Sequence, residues 1–311
     1  MGRGKGRLCG LAAGLVLLAG QARAEDSCNL TQVASVDMGI DDVGHMTVPM
    51  TVGGQTVTML VDTGGIETML SESVVNSLGL HKSRLFNMGI RMYGGTAIDH
   101  YVDAQDISFG QLKAPSMRFL VLPEVRALGG IGGMLAPDIL RAYDDDFDFV
   151  HGKFSLFSQD HCKGKVVYWT KSPDVAKIEI EVDENGHIWL PVTIDGQVVH
   201  LCFDTGAEDT TMSLNLAEHL FGFDEKSPDL KVLDKHGDRA VYRYPFKVLT
   251  FGGDDIGKVT VLNPHIYLTT YAVSYMRDSE AGLIGMGILR QLHLYIAYKE
   301  HRLFITAASA H

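Results

Sequence analysis

The sequence is short of most signatures that announce an enzyme class. It contains no His-Glu-x-x-His run and no paired Cys and His spacing, so its 13 histidines do not read as a zinc site. It has no Gly-x-Ser-x-Gly elbow, and the glycine run at residues 129–133 lacks the lysine of a phosphate-cradling loop. Clustered cations are missing too: 27 Lys and Arg stand against 38 Asp and Glu, for a net charge of −11. Phosphate backbones need grouped Lys and Arg, so nucleic acid is not an expected partner. The longest apolar run, residues 8–20, falls short of the ~20 residues that cross a bilayer. No cofactor and no metal are implied.

That apolar run follows Arg3, Lys5 and Arg7 and precedes Ala22-Arg23-Ala24, the pattern of a cleaved signal peptide over residues 1–24. The expected destination is therefore the periplasm or the medium, with no stable membrane insertion after cleavage. Cleavage removes four basic residues and no acidic one, which moves the net charge from −11 to −15. Cys28, Cys162 and Cys202 remain. An oxidising compartment permits one disulfide. Cys202 sits in an apolar strand two residues before Asp204 and reads as a buried thiol, leaving Cys28–Cys162 as the expected pair.

What the sequence does have is a copy of itself. Residues 44–71 match residues 186–213 without gaps at an offset of 142, with Gly44, His45, Pro49, Thr51, Gly54, Gln55, Val57, Asp62, Thr63, Gly64, Thr68 and Ser71 all recurring. Each copy reads as two apolar strands around a turn, Gly53-Gly54 or Asp195-Gly196, and each second strand ends on an aspartate. Short helices are expected over residues 71–78 and 213–220, closed by Gly79 and Gly222. Later in each half come residues 130–134 and 282–286, which align Gly133 with Gly285. Residues 163–173 form the expected connection between the halves.

The strand-ending Asp62-Thr63-Gly64 and Asp204-Thr205-Gly206, each followed by an apolar glycine-containing segment, resemble the aspartic protease family over essentially the whole mature chain. One such triplet also makes an ordinary turn; two in equivalent places of a duplication are specific. The strong self-similarity looks like a fused pair of retropepsin-like domains, more compact than the pepsin branch. The resemblance implies a mostly β, bilobal fold of two homologous β-barrel-like lobes with short helices, residues 25–165 and 175–311. It implies an endopeptidase acting on peptide or protein, with Asp62 and Asp204 as a shared catalytic pair. A monomer suffices, since one chain holds both copies. The alternative is a silent relative that kept the fold as a peptide-binding or scaffold module.

By the same resemblance, Thr63 and Thr205 lock the two loops together, and Gly64 and Gly206 allow close backbone approach. A flap over the substrate is implied at residues 90–96, with Tyr93 and Gly94 at its tip, and a second hairpin at residues 233–241 takes the matching place. The family usually has Ser or Ala after the glycine; the second copy has Ala207 but the first has Gly65. Asp144-Asp145-Asp146 reads as a solvated turn, with calcium binding as the lesser alternative.

Overall fold

A computed structural model of the chain describes residues 29–86, 97–123, 130–271 and 282–308. The expected signal peptide, Cys28 and the Tyr93-Gly94 flap lie outside these residues. The fold is mostly β and bilobal, and it follows from the duplicated hairpins. Met46–Val52 pairs antiparallel with Gln55–Val61, and Ile188–Ile194 with Gln197–Phe203. In Ile188–Ile194 the side chains of Ile188, Leu190, Val192 and Ile194 are buried in strict alternation, the period-two pattern of a strand with one face on a core.

Each hairpin is then completed in the same unusual way. A short strand from much later in the chain inserts parallel to the aspartate-bearing strand: Gly133–Leu135 beside Gln55–Val61, and Gly282–Ile284 beside Gln197–Phe203. The pairing Val61 with Leu135 and Phe203 with Ile284 makes Gly133 the equivalent of Gly282, and Ala136 the equivalent of Gly285. The alignment of Gly133 with Gly285 is thus three residues out of register. Backbone pairing sets the true equivalence, and glycine-rich runs match each other in several registers.

The two helices that follow the aspartate loops start where the sequence indicates. Ser71 and Ser213 cap Glu72–Ser77 and Leu214–Phe221 by accepting from the backbone N–H three residues on, and Gly222 closes the second in a left-handed conformation.

A six-stranded sheet unites the lobes, in the order Gln32–Asp37, Lys153–Phe157, Asp144–Asp148, Leu292–Ala297, Arg302–Ala307, Ala176–Glu179. Its central seam pairs Asp144–Asp148 of the first half with Leu292–Ala297 of the second. Asp144, Asp145 and Asp146 therefore lie in a buried strand and not in a solvated turn. Their partners come from far along the chain. Asp144 meets His161 Nε2 at 2.6 Å and accepts from the Tyr298 amide. Asp146 meets His293 Nε2 at 2.8 Å and accepts from Tyr168 Oη at 2.8 Å. Asp145 accepts from Tyr298 Oη at 3.0 Å, while its Oδ1 has no partner among the described residues. Among the described residues, no group of three or more His, Cys, Asp or Glu is placed to hold a metal ion. Residues 158–175 run across one face of this sheet, where Trp169 stacks on His293 at 4.3 Å and donates to Thr306 Oγ1. Cys162 on this segment is disulfide-bonded, and Cys202 is a free buried thiol.

Burial, reinforced by the charges of Asp144 and Asp146, pushes the Asp145 carboxyl well above the usual carboxylate range. A carboxyl that holds its proton more tightly when folded adds stability below its unfolded pKa, about 3.9, and that stability is lost as pH rises through the raised folded value. Asp145→Asn has no proton to lose. Urea unfolding at pH 4 and pH 8 should show a smaller loss of stability with rising pH for this variant than for the wild type; an equal loss would mean that Asp145 ionises freely in the folded protein.

Candidate active site

Asp62 and Asp204 are delivered by buried apolar strands, whose packing fixes where each strand ends. The parallel insertion fixes it further, because the Asp62 amide donates to Leu135 O at 2.9 Å and the Asp204 amide to Ile284 O at 3.0 Å. The residues after the aspartates bridge the lobes reciprocally. Thr63 Oγ1 donates to Phe203 O at 2.8 Å and accepts from the Thr205 amide at 3.0 Å. Thr205 Oγ1 donates to Val61 O at 2.7 Å and accepts from the Thr63 amide at 3.1 Å. All of these groups are buried, so each bond forms without competition from water.

The glycines are shared across the lobes too. A Cβ on Gly64 would stand 2.5 Å from Asp204 Cγ, and one on Gly206 would stand 2.5 Å from Asp62 Cγ. Each glycine thus forms the wall against which the other lobe's carboxyl lies, and space dictates the residue, since neither has a positive φ. Each carboxylate also accepts from its own loop, Asp62 from the Gly64 amide at 3.1 Å and Asp204 from the Gly206 amide at 2.9 Å.

The Asp204 carboxyl is a side-chain hydrogen-bonding neighbour of the Asp62 carboxyl. Asp62 is 8% exposed and Asp204 3%. Burial, and next the charge of Asp204, hold the Asp62 carboxyl far above the ordinary carboxylate range, against the smaller pull of the Gly64 and Gly65 amides. Two carboxyls so placed disfavour simultaneous ionisation.

A family model described as aspartyl protease matches residues 48–136 and 190–288, more than half of the chain. The chain belongs to the aspartyl protease family. No curated protein matches it. The two matched regions, one in each half, each contain an aspartate loop and the inserted strand beside it, as expected of a duplicated protease fold.

Of the residues singled out in the sequence, the structure brings together Asp62, Thr63, Gly64, Asp204, Thr205 and Gly206. The hairpin matching the expected flap is Lys231–His236 with Arg239–Arg243, turning at Gly237, and its first strand is exposed along its whole length. Sequence reasoning missed what anchors the loops from behind. Thr68 Oγ1 accepts from the Ala136 amide at 3.1 Å, and Thr210 Oγ1 from the Gly285 amide at 3.0 Å. Both threonines recur in the repeat, which was the available signal. Thr68 Oγ1 also donates to Asp138 Oδ1 at 2.7 Å, a contact the register error conceals.

Gly64→Ala and Gly206→Ala each push a methyl into the opposite carboxyl. Overpacking of this kind costs about 1–3 kcal/mol. Chemical denaturation should therefore show both variants less stable than wild type by that order, whereas unchanged stability would mean that the carboxyls do not rest on the opposing glycines.

Proposed function

We propose that this member of the aspartyl protease family is a retropepsin-like aspartic endopeptidase in which Asp62 and Asp204 form one catalytic pair. The observation that carries this reading is the contact of two buried carboxyls across the lobe boundary, held by paired threonines. A binding cleft has no need of two carboxyls sharing one proton, whereas peptide hydrolysis uses both forms at once. The ionised carboxyl takes a proton from water as the oxygen attacks the scissile carbonyl carbon. The protonated partner gives its proton to the carbonyl oxygen. When the tetrahedral diol collapses, the C–N bond breaks, the proton taken from water passes to the leaving nitrogen, and one hydroxyl proton of the diol returns to the carboxylate that gave its proton up, leaving a carboxylic acid and the pair singly protonated again. Thr63, Thr205, Gly64 and Gly206 hold the carboxyls at the required separation.

The substrate is a peptide or protein bound in extended form across the cleft, with Tyr93, Gly94 and the 231–243 hairpin as covers that exclude water. One chain supplies both lobes, so the working form is a monomer. The disulfide at Cys162 and the signal-like residues 1–24 support export to the periplasm or medium.

Asp62→Asn and Asp204→Asn should each abolish cleavage of a peptide library while leaving the folded state intact, since Asn is nearly isosteric. Wild-type activity should trace a bell against pH. Its acid limb marks protonation of the second carboxyl, and its upper limb marks loss of the shared proton, above the pKa of an ordinary Asp because burial and the neighbouring charge raise it. Chelators should leave the rate unchanged. Near-wild-type turnover in either Asn variant would sink the shared-pair mechanism and return the chain to the binding-module reading.

A further inference from the structure

The two aspartate loops are not tied down in the same way. In the second lobe the tie is made by the backbone. The Met286 amide donates to Ala207 O at 2.9 Å and the Gly287 amide to Glu208 O at 2.8 Å, which joins the loop after Asp204 to the short helix Met286–Leu289. In the first lobe the residue equivalent to Met286 is Pro137, which has no N–H to give. Among the described residues, no backbone hydrogen bond joins residues 137–138 to residues 65–66. The loop there also lacks a side chain where the other lobe has Ala207. A Cβ on Gly65 would stand 3.1 Å from Asp62 Oδ2 and 3.3 Å from its Cγ, closer than a side chain ordinarily lies, so glycine leaves this carboxyl room that a side chain would take. Glycine adds backbone freedom at the same point.

One interaction in the first lobe has no counterpart in the second. Asp138, in the Pro137–Leu140 helix, accepts the proton of Thr68 Oγ1, and the amides of Thr68 and Ile139 also face its carboxylate. In the second lobe the equivalent position is Gly287, and Thr210 Oγ1 makes no second hydrogen bond among the described residues. Space does not force that glycine, since a Cβ there would meet only Glu208 O at an ordinary 3.5 Å. Each lobe therefore has one device and not the other: backbone ties in the second, a half-buried carboxylate on the loop exit in the first.

We propose that Asp138 is a positioning residue, which fastens the Asp62 loop through Thr68 and so replaces the backbone ties that the first lobe lacks. The inference rests on the peptidase reading for its kinetic consequences but not for its structural one. Thr68 also receives the Ala136 amide, and Ala136 follows Leu135, whose carbonyl holds the Asp62 amide. Fixing the Thr68 hydroxyl therefore fixes both sides of the aspartate. A carboxyl displaced by a fraction of an ångström loses its place beside its partner, and misplacement by about 1 Å costs up to ~100-fold in rate.

The test uses three variants of the full chain: Asp138→Asn, which keeps an acceptor oxygen; Asp138→Gly, which removes it; and Pro137→Met/Asp138→Gly, which copies Met286-Gly287. Asp138→Gly should lower kcat by ~10-fold or more with little change in KM. The two limbs of its pH profile should draw together, because carboxyls that have moved apart no longer force their pKa values apart. Asp138→Asn should keep most of the rate, and the double variant should recover much of what Asp138→Gly loses, because it restores the amide donor. Backbone amide exchange of residues 62–68 should quicken in Asp138→Gly and slow again in the double variant. Wild-type kcat, bell shape and exchange in Asp138→Gly would overturn the proposal, as would a loss of rate with an unaltered pH profile and unaltered loop exchange. If the wild type cleaves no peptide, the peptidase reading falls, and loop exchange alone still decides whether Asp138 holds the loop.

Discussion

Two threonine hydroxyls, each giving its proton to a carbonyl of the other half, are the contact on which the rest of this molecule depends. Thr63 reaches Phe203 O and Thr205 reaches Val61 O, both within 2.8 Å. The bonds run to the backbone immediately before each aspartate, so they set the separation of the carboxyls rather than merely bringing two surfaces together. Because the hydroxyls and the accepting carbonyls are out of reach of water, breaking one such bond leaves a buried acceptor unsatisfied. That penalty is about 1–3 kcal/mol, larger than the net worth of an ordinary hydrogen bond. Geometry at the pair is thus guarded by the cost of its alternatives.

The six-stranded sheet performs the same service at longer range. It would be simplest to join two lobes by apolar strands alone, and Phe147 does pack against Phe154 and Phe203 at the seam. Yet the same strand carries three buried carboxyls. Asp144 and Asp146 are matched to His161, His293, Tyr168 and Tyr295, residues contributed by the connecting segment and by the second half. A polar group in such a place tolerates one arrangement of its neighbours, whereas an apolar one tolerates several, so the network favours a single relative placement of the halves. Asp145, with one oxygen unpartnered among the described residues, is the weak member, and burial raises its carboxyl well above the usual carboxylate range.

Much of this was legible in the sequence, and the limits have physical causes. The duplicated hairpins and the short helices after them follow from local periodicity and the repeat, and the meeting of two Asp-Thr-Gly loops was what the resemblance to the aspartic protease family implied. Asp144-Asp145-Asp146 was misread because a run of carboxylates is a turn signal unless its partners are known, and His161 and Tyr298 lie far from it in sequence. The slip between Gly133 and Gly285 came from matching glycines, where the fold matches the carbonyls of Leu135 and Ile284. That slip hid Asp138, whose equivalent in the other half is a glycine. Symmetry in sequence finds what both copies share; it is blind to a residue that one copy needs because the other solved the same problem differently.

The crossed glycines bear on how such a molecule can change. Gly64 is small for the benefit of Asp204, and Gly206 for the benefit of Asp62. Neither half contains a complete pocket for its own carboxyl, so the unit of inheritance at the dyad is the pair of loops and not the single copy. After duplication and fusion, the outer strands and hairpins of the two copies were free to diverge. The two triplets were not, because a substitution in one is tested at once against the structure of the other.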